Sequence, residues 1–421
     1  MKTGTELLIL VPRICPRVEF IFNWIFLPEL LSTFRLTEDR DLFLRYSGPR
    51  CQYGGQPVKE GILFWPAVPL LFETGIRMQS PDLSSEKHLF KYGYQQTPEL
   101  LSDPFADCFF LLSRYEEYLP FNADQYDRFP ALSSVLYKKG LLQFPLADFL
   151  KQNILQKVRQ RFPELIVQRS VFKATITIDI DQAFAYKSKS IIRTIGSLFK
   201  AGIAKSGKFH EEFQVITGKR QDPFDTYDQI LKDQNYNAPV IFFLLCPHKR
   251  TRYDHQVNQE SSLFRGLVRK LVSNAAVGIH PSYYSSTNPN RVKRELRSLN
   301  ALTNQPVFRS RQHYLRMKFP GTYQGLLAAG IKEDYSMGFT EEPGFRAGSC
   351  RPFKWYDLQN EQTTDLKVFP ISFLEISFKE HSQYDFETAW DKMVNLMNIV
   401  KEFSGHLVPV WHNTTIAGWG E

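Results

Sequence analysis

The stretch TITIDIDQAFAY at residues 175–186 constrains the fold more than any other part of this chain. Apolar and β-branched residues run up to Asp179 and Asp181, and the run then breaks, which is typical of a buried strand in a parallel sheet. Because side chains alternate along a strand, Asp179 and Asp181 lie on the same face. Two carboxylates at the carboxyl end of a strand favour cation binding or proton chemistry. The alternative is that they cap the following helix.

From about residue 170 onward, predicted strands alternate with predicted helices, which indicates a parallel sheet or barrel. The predicted strands after the first are at residues 239–246, 275–280, 306–310, 335–339, 368–376 and 406–411. Between them, residues 188–205 form a basic stretch that contains a helix, and Asp222 is a candidate N-cap of the next helix.

The region before these strands opens with a predicted strand at residues 7–11 and an aromatic-rich helix near residues 18–27. A chain of 421 residues is too long for one ordinary core. The sequence therefore predicts the α/β class, with a smaller α/β domain at residues 1–165 and a second domain at residues 166–421.

The composition, with 43% hydrophobic residues, is typical of a folded globular protein. The net charge of +8 comes from scattered lysines and arginines, which favours a solvated surface over a nucleic-acid interface. The cysteines are far apart and include no CxxC pair, so the sequence predicts neither a disulfide framework nor a cysteine-based zinc site. Neither a GxGxxG nor a complete GxxxxGK[ST] segment occurs, which disfavours a nucleotide-binding enzyme.

Two apolar stretches near the start of the sequence bear on localisation. The stretch at residues 7–11 is too short for the core of a signal peptide, and residues 21–31 are interrupted by polar residues and a proline. We therefore expect a soluble cytoplasmic protein without a membrane span. Reduced cysteines fit the same expectation.

Polar residues recur at the ends of the predicted strands of the second region. They are Asp179, Asp181, His280, Arg311, His313 and His412. In an α/β barrel all such strand ends converge on one mouth. A lone histidine at a strand end is more often structural, but an aspartate with two histidines around an open position is typical of a divalent metal such as zinc.

These residues carry a family resemblance. Residues 170–421 resemble the NodB-homology polysaccharide deacetylases of carbohydrate esterase family four through the segments TIDID, GIHPSYYS, RQHY and VPVWHN. The resemblance implies a distorted (β/α)7-type barrel and a hydrolase that removes acetyl groups from acetylated sugars. The whole chain also resembles bacterial polysaccharide-deacetylase-like proteins with an N-terminal domain of unknown function, through SRYEEYLP, DPFDTYD, DYSMGF and GFRAGSC.

The resemblance also implies roles for the strand-end residues. The predicted ligands of a divalent metal, zinc first, are Asp181 and His280 together with His313, which the family pattern does not supply. Asp179 is the predicted general base, Arg311 positions it, and His412 protonates the leaving group. The predicted residues that contact an acetylated carbohydrate are Tyr284, Arg346 and Trp411.

Departures from the family pattern leave alternatives open. Tyr284 stands where the family has its second histidine, and His313 stands where deacetylases usually have proline. His313 is therefore either the replacement ligand or a hydrogen-bond partner of the true ligands. Trp411 could simply pack in the core, and Arg346 could form a loop salt bridge. The competing hypothesis for function is a catalytically inactive scaffold that binds a glycan or a partner in polysaccharide assembly.

Overall fold

The structure is a computed structural model that describes residues 6–27, 29–84, 86–90, 102–168, 170–187, 207–232, 238–381 and 384–416. The chain divides into two compact units, each built from separate stretches. The first unit comprises Met1–Lys173, Met317–Tyr323 and Asp334–Leu407. The second comprises Ala174–Arg316, Gln324–Glu333 and Val408–Glu421. None of the helices in the described ranges combines the length and apolarity that crossing a bilayer requires.

Strands and helices alternate along the described ranges. The strands are β1 (Leu7–Leu10), β2 (Phe34–Thr37), β3 (Arg50–Gly54), β4 (Leu63–Pro66), β5 (Lys173–Ala174), β6 (Ile176–Ile180), β7 (Val240–Leu245), β8 (Ala276–His280), β9 (Arg309–Ser310), β10 (Glu333–Met337), β11 (Phe353–Asp357), β12 (Gln362–Pro370), β13 (Phe373–Leu374), β14 (His406–Leu407) and β15 (Pro409–His412). The α-helices are α1 (Pro16–Phe26), α2 (Arg40–Arg45), α3 (Pro104–Leu112), α4 (Val135–Lys138), α5 (Leu146–Arg161), α6 (Gly207–Ile216), α7 (Tyr227–Lys232), α8 (Ser262–Asn274), α9 (Pro289–Thr303), α10 (Gly321–Ala328), α11 (Phe386–Glu402) and α12 (Asn413–Ile416).

The first unit contains a four-stranded parallel sheet in the order β2-β1-β3-β4. Every residue of β1 is buried, because this strand has a neighbour on each side and apolar cover. Helix α1 packs aromatic side chains into the same core, where Phe22 stacks on Phe105 of α3 with ring centroids 4.6 Å apart. Asp103 caps helix α3, and its side chain accepts hydrogen bonds from two backbone N–H groups of the first turn. The predicted first strand and first helix are both confirmed.

The second unit is organised around parallel strands in the order β15-β6-β7-β8-β9, which belong to a larger mixed sheet. Helices α8 and α9 pack on β8. Helix α8 buries Phe264, Leu267, Val268 and Leu271, the spacing of one helical face, and Ser261 caps its first turn. Parallel strands that alternate with covering helices confirm the predicted α/β class and barrel-type architecture.

The prediction that Asp222 begins a helix is wrong. The next helix, α7, starts only at Tyr227. The Asp222 carboxylate instead accepts hydrogen bonds from the backbone N–H groups of residues 185–187, at 2.8–3.0 Å. Aspartate satisfies loop backbone as readily as helix ends, and here it fixes the turn that follows β6. The predicted basic stretch at residues 188–205 lies outside the described residues.

Candidate metal centre

Polar side chains meet at the carboxyl ends of the parallel strands of the second unit. Asp179 lies in β6 and Asp181 directly follows that strand. His280 is the last residue of β8, Arg311 directly follows β9, and His313 lies two residues further along. Because these strands are parallel, their carboxyl ends share one edge of the sheet. The structure thus brings together five of the residues that the sequence indicated.

Asp181, His280 and His313 form the cluster that could hold a metal ion. One ligand atom from each lies within 4.8 Å of the others. His280 Nε2 is 3.2 Å from Asp181 Oδ1, and His313 Nε2 is 3.5 Å from Asp181 Oδ2. One carboxylate and two imidazoles make up the protein ligands of many catalytic zinc sites, in which a further position stays open.

Both imidazole rings are held by their other nitrogen. His280 Nδ1 donates to the carbonyl oxygen of Arg311 at 2.5 Å, and His313 Nδ1 donates to Asp254 Oδ1 at 3.0 Å. A neutral ring with its proton on Nδ1 carries a lone pair on Nε2, and this is the form in which a histidine binds a cation. Hydrogen bonds of this kind orient metal-binding histidines and raise their basicity.

The Asp181 carboxylate shows the clearest fit to a cation. Its side chain is 32% exposed, yet Oδ1 is buried and accepts no hydrogen bond from any described residue. A buried carboxylate oxygen without a donor is costly unless a cation meets it. Burial opposes ionisation, but His313, His280 and His412 hold the pKa of Asp181 well below its usual value. The carboxylate is therefore ionised, the form that a divalent cation requires.

Asp179 is held by a fully buried arginine. Arg311 Nη1 donates to Asp179 Oδ1 at 2.9 Å, and Nη2 donates to Thr177 Oγ1 at 2.7 Å. The guanidinium carbon lies 4.6 Å from the centroid of the Phe243 ring. Phe243 pairs with Gly278 of β8, where any Cβ atom would collide with the ring. Gly278 therefore leaves room for the ring that supports Arg311, and Arg311 in turn fixes the Asp179 carboxylate.

His412 is the last residue of β15 and lies at the same edge of the sheet as Asp179. It is the register partner of Asp179, and its Nε2 lies 3.8 Å from Asp181 Oδ2. Trp411 pairs with Ile178, so the alternation of the strand turns it to the opposite face of the sheet. This placement favours core packing of Trp411 over contact with a substrate.

Tyr284 follows the strand that ends in His280, and it is not a member of the metal-binding cluster. It is 41% exposed and follows β8 in the short helix Tyr283–Thr287. Its ring packs edge-on against Tyr253 and Tyr283, with centroids 6.1 and 5.1 Å away. The exposed ring is compatible with the predicted contact to a carbohydrate.

Arg346 belongs to the first unit and is 2% exposed. Its Nε and Nη2 donate to both carboxylate oxygens of Glu117, at 2.8 and 2.5 Å, and its Nη1 donates to the carbonyl of Gly338 at 3.0 Å. Arg114 also donates to Glu117, at 2.8 Å. Burial alone would raise the pKa of Glu117, but Arg346 and Arg114 hold it below its usual value. The structure favours the salt-bridge alternative for Arg346 over a role in binding substrate.

Asp254 is a residue of this centre that the sequence did not single out. It is fully buried and accepts hydrogen bonds from His313 Nδ1, Thr251 Oγ1 at 2.6 Å and the backbone N–H of Tyr283 at 2.9 Å. Burial would raise the pKa of Asp254, but these hydrogen bonds, above all that of His313, lower it. In the sequence, Asp254 is only an acidic residue in the irregular segment after β7. No periodicity relates such a residue to the end of the strand, so its position near His313 could not be predicted.

We expect Asp254→Asn to weaken metal binding by about 10–100-fold, as loss of an outer hydrogen-bond partner of a histidine ligand does. The amide cannot accept from every donor around it, so the ring of His313 loses its fixed orientation. Titration against a chelating dye measures the affinity. The matched control is Asp228→Asn, which removes an exposed carboxylate paired with Lys270. Equal affinity in the two variants would exclude Asp254 as a positioning residue.

Comparison with family models gives a match to the first part of the chain. Residues 7–163 match a family of unknown function, DUF7033. This match agrees with the N-terminal domain of unknown function that the resemblance implied. No curated protein gives a significant match to the chain.

Solved structures resemble a larger share of the chain, at low similarity. One is from Mycobacterium smegmatis and is described as a polysaccharide deacetylase, with 13% identity and a TM-score of 0.37 over 58% of this chain and 81% of that chain. Puue allantoinase gives 12% identity and a TM-score of 0.38 over 58% and 79%. The polysaccharide deacetylase Bc1974 from Bacillus cereus gives 11% identity and a TM-score of 0.27 over 60% and 83%. Such low scores assign neither an activity nor a metal.

Proposed function

We propose that this protein is a metal-dependent deacetylase that hydrolyses an acetyl amide or ester on a saccharide or polysaccharide. The observation that carries the proposal is the cluster of Asp181, His280 and His313. Both imidazole Nε2 atoms face a carboxylate whose buried Oδ1 accepts no hydrogen bond from the described residues. This ligand set suits a divalent cation, with zinc the first candidate.

The cation would be held by a carboxylate oxygen of Asp181 and by the Nε2 atoms of His280 and His313. When bound, such a cation polarises the acetyl carbonyl and lowers the pKa of water from ~15.7 towards ~7. Both histidine rings are already fixed through Nδ1, so they need not reorient to bind it. The partial exposure of Asp181 leaves a side of the centre open to substrate.

Asp179 is the proposed general base. Arg311 occupies its Oδ1, while Oδ2 lies 3.9 Å from His280 Nε2, on the side of the metal ligands. The hydrogen bond from the guanidinium fixes the direction of the carboxylate. Asp179 would take a proton from the water as the water oxygen attacks the acetyl carbon.

His412 is the proposed general acid. The C–N or C–O bond to the sugar breaks with its electron pair on the leaving nitrogen or oxygen, and His412 would supply the proton that this atom needs. The products are acetate and the free amine or hydroxyl. The exposed ring of Tyr284 would contact the sugar next to the acetyl group.

Elemental analysis of untagged protein purified without chelators tests the proposal. We expect close to one divalent metal per wild-type chain, and a sharp fall in His313→Ala because that change removes a ligand. His248→Ala, which removes an exposed histidine outside the cluster, is the matched control.

The same preparations should release acetate from N- or O-acetylated saccharides. A wild-type protein that takes up neither zinc nor cobalt would overturn the proposal and leave the non-catalytic binding scaffold. Metal retained in His313→Ala would keep the enzyme but remove His313 from the ligands.

A further inference from the structure

A cleft lies in the first unit, and none of the residues that line it belongs to the metal centre. Its volume is about 1010 Å³. That is the upper end of the range of small-molecule sites, ~300–1,000 Å³. Residues of α1, α5, β11, β12 and β14 contribute to its walls, and the aromatic ones include Trp24, Phe353 and Phe369.

Three exposed lysines line this cleft. Lys354 and Lys367 are direct register partners on the antiparallel strands β11 and β12, and Lys173 lies in β5. Like charges directly opposite each other on neighbouring strands are destabilising. Lys354 has a carboxylate partner, Asp365, at 3.0 Å. No carboxylate of the described residues pairs with Lys173 or Lys367, so the rim carries surplus positive charge.

The deeper charges of the cleft neutralise one another. Lys151 Nζ lies 2.6 Å from Glu29 Oε2, and Arg351 forms ion pairs with Glu29 and, at 3.6 Å, with Asp148. The positive charges of Lys151 and Arg351 are therefore neutralised by the two carboxylates. The surplus charge stays with the lysines, where a ligand in the cleft can reach it.

His406 lies in the cleft near these lysines. Burial lowers its pKa to about 4, and the charges of Lys173 and Lys367 lower it in the same direction. The ring is thus neutral at physiological pH, and it lines the cleft. An anion near the two lysines would cancel their field and raise the pKa of His406, which makes this ring a reporter of binding.

We propose that this cleft binds a ligand that carries two or more phosphate or carboxylate groups, with Lys173 and Lys367 contacting those groups. Lysine attracts both kinds of oxyanion as a compact charge, without demanding one geometry. An anion beside Lys367 also relieves its repulsion from Lys354. The inference does not depend on the activity proposed for the metal centre.

NMR titration of the histidine ring protons tests this inference, with His406→Gln used to assign the signal. Pyrophosphate and digalacturonate are the phosphate and carboxylate probes, and maltose is the neutral probe. We expect a charged probe to raise the pKa of His406 by about one unit or more, as an opposite charge within about 4–6 Å of a titratable group does. Maltose should leave the pKa unchanged.

The double variant Lys173→Met/Lys367→Met should bind the charged probe at least about 10-fold more weakly, and without probe its His406 should show a raised pKa. Lys59→Met, which removes one exposed lysine outside the cleft, is the charge-matched control for each single change. If the double variant does not fold, Lys173→Met and Lys367→Met give the same comparison singly.

A shift with pyrophosphate alone identifies a phosphate ligand, and a shift with digalacturonate alone identifies a carboxylate ligand. The inference is overturned if neither probe shifts the pKa of His406. It is also overturned if the lysine variants bind as tightly as Lys59→Met.

Discussion

Asp179→Asn is expected to lower kcat/KM for acetate release by roughly 10²–10⁴-fold, the usual contribution of a general base, while the metal stays bound. The amide oxygen of asparagine can still accept the hydrogen bond that Arg311 Nη1 donates at 2.9 Å. The buried guanidinium therefore keeps its partner, and only the capacity to take a proton is lost. Acetate release, metal content and thermal unfolding are measured on one preparation.

Asp228→Asn, on the exposed side of α7, serves as the control and should retain the wild-type rate. Full activity in Asp179→Asn would exclude Asp179 as the base. A parallel loss of metal and activity would instead place Asp179 among the ligands.

Asp181→Asn should weaken metal binding by more than about 100-fold, beyond the 10–100-fold typical of residues that only support a ligand. The change removes the one negative charge of the proposed ligand set. It also acts on the metal-free protein. Burial alone would lower the pKa of His313, but Asp181 and Asp254 raise it to about 9. Without the Asp181 charge that pKa should fall.

Chelator competition gives the affinity of Asp181→Asn, and NMR titration of the metal-free protein gives the pKa of His313. The control is Asp365→Asn, since the Asp365 side chain is 95% exposed and lies outside the metal centre. Unchanged metal affinity would remove Asp181 from the ligand set. An unchanged pKa of His313 would contradict the ion pair between the two residues.

The part of the site that sequence reasoning found depends on strands. Asp179 and Asp181 are on one face because side chains alternate along β6, and His280 is near them because parallel strands end at one edge of the sheet. These relations follow from the backbone, so a single sequence is enough to predict them. The α/β class follows from the same alternation of strands and helices.

Residues placed by long loops could not be predicted in this way. Asp254 reaches His313 from an irregular segment, where neither periodicity nor spacing fixes the direction of a side chain. The carboxylate partner of Arg346 is Glu117, which is 229 residues away in the sequence. No feature of the sequence around Arg346 therefore distinguished it from a substrate-binding arginine. Asp222 has the residue type of a helix cap, but its carboxylate accepts hydrogen bonds from the backbone of the turn that follows β6.

The pairing of β15 with β6 joins distant parts of the chain, since Thr177 donates its hydroxyl proton to the carbonyl of Pro409, 232 residues away. Asp334–Leu407 of the first unit lie between them in sequence. On the ribosome, β6 is made long before β15. Until β15 has been made, the backbone of one edge of the apolar strand β6 has no partner strand. Such non-local pairing slows folding and leaves strand edges open to aggregation. A nascent chain that stops short of β15 also lacks His412, so it cannot gather the complete centre.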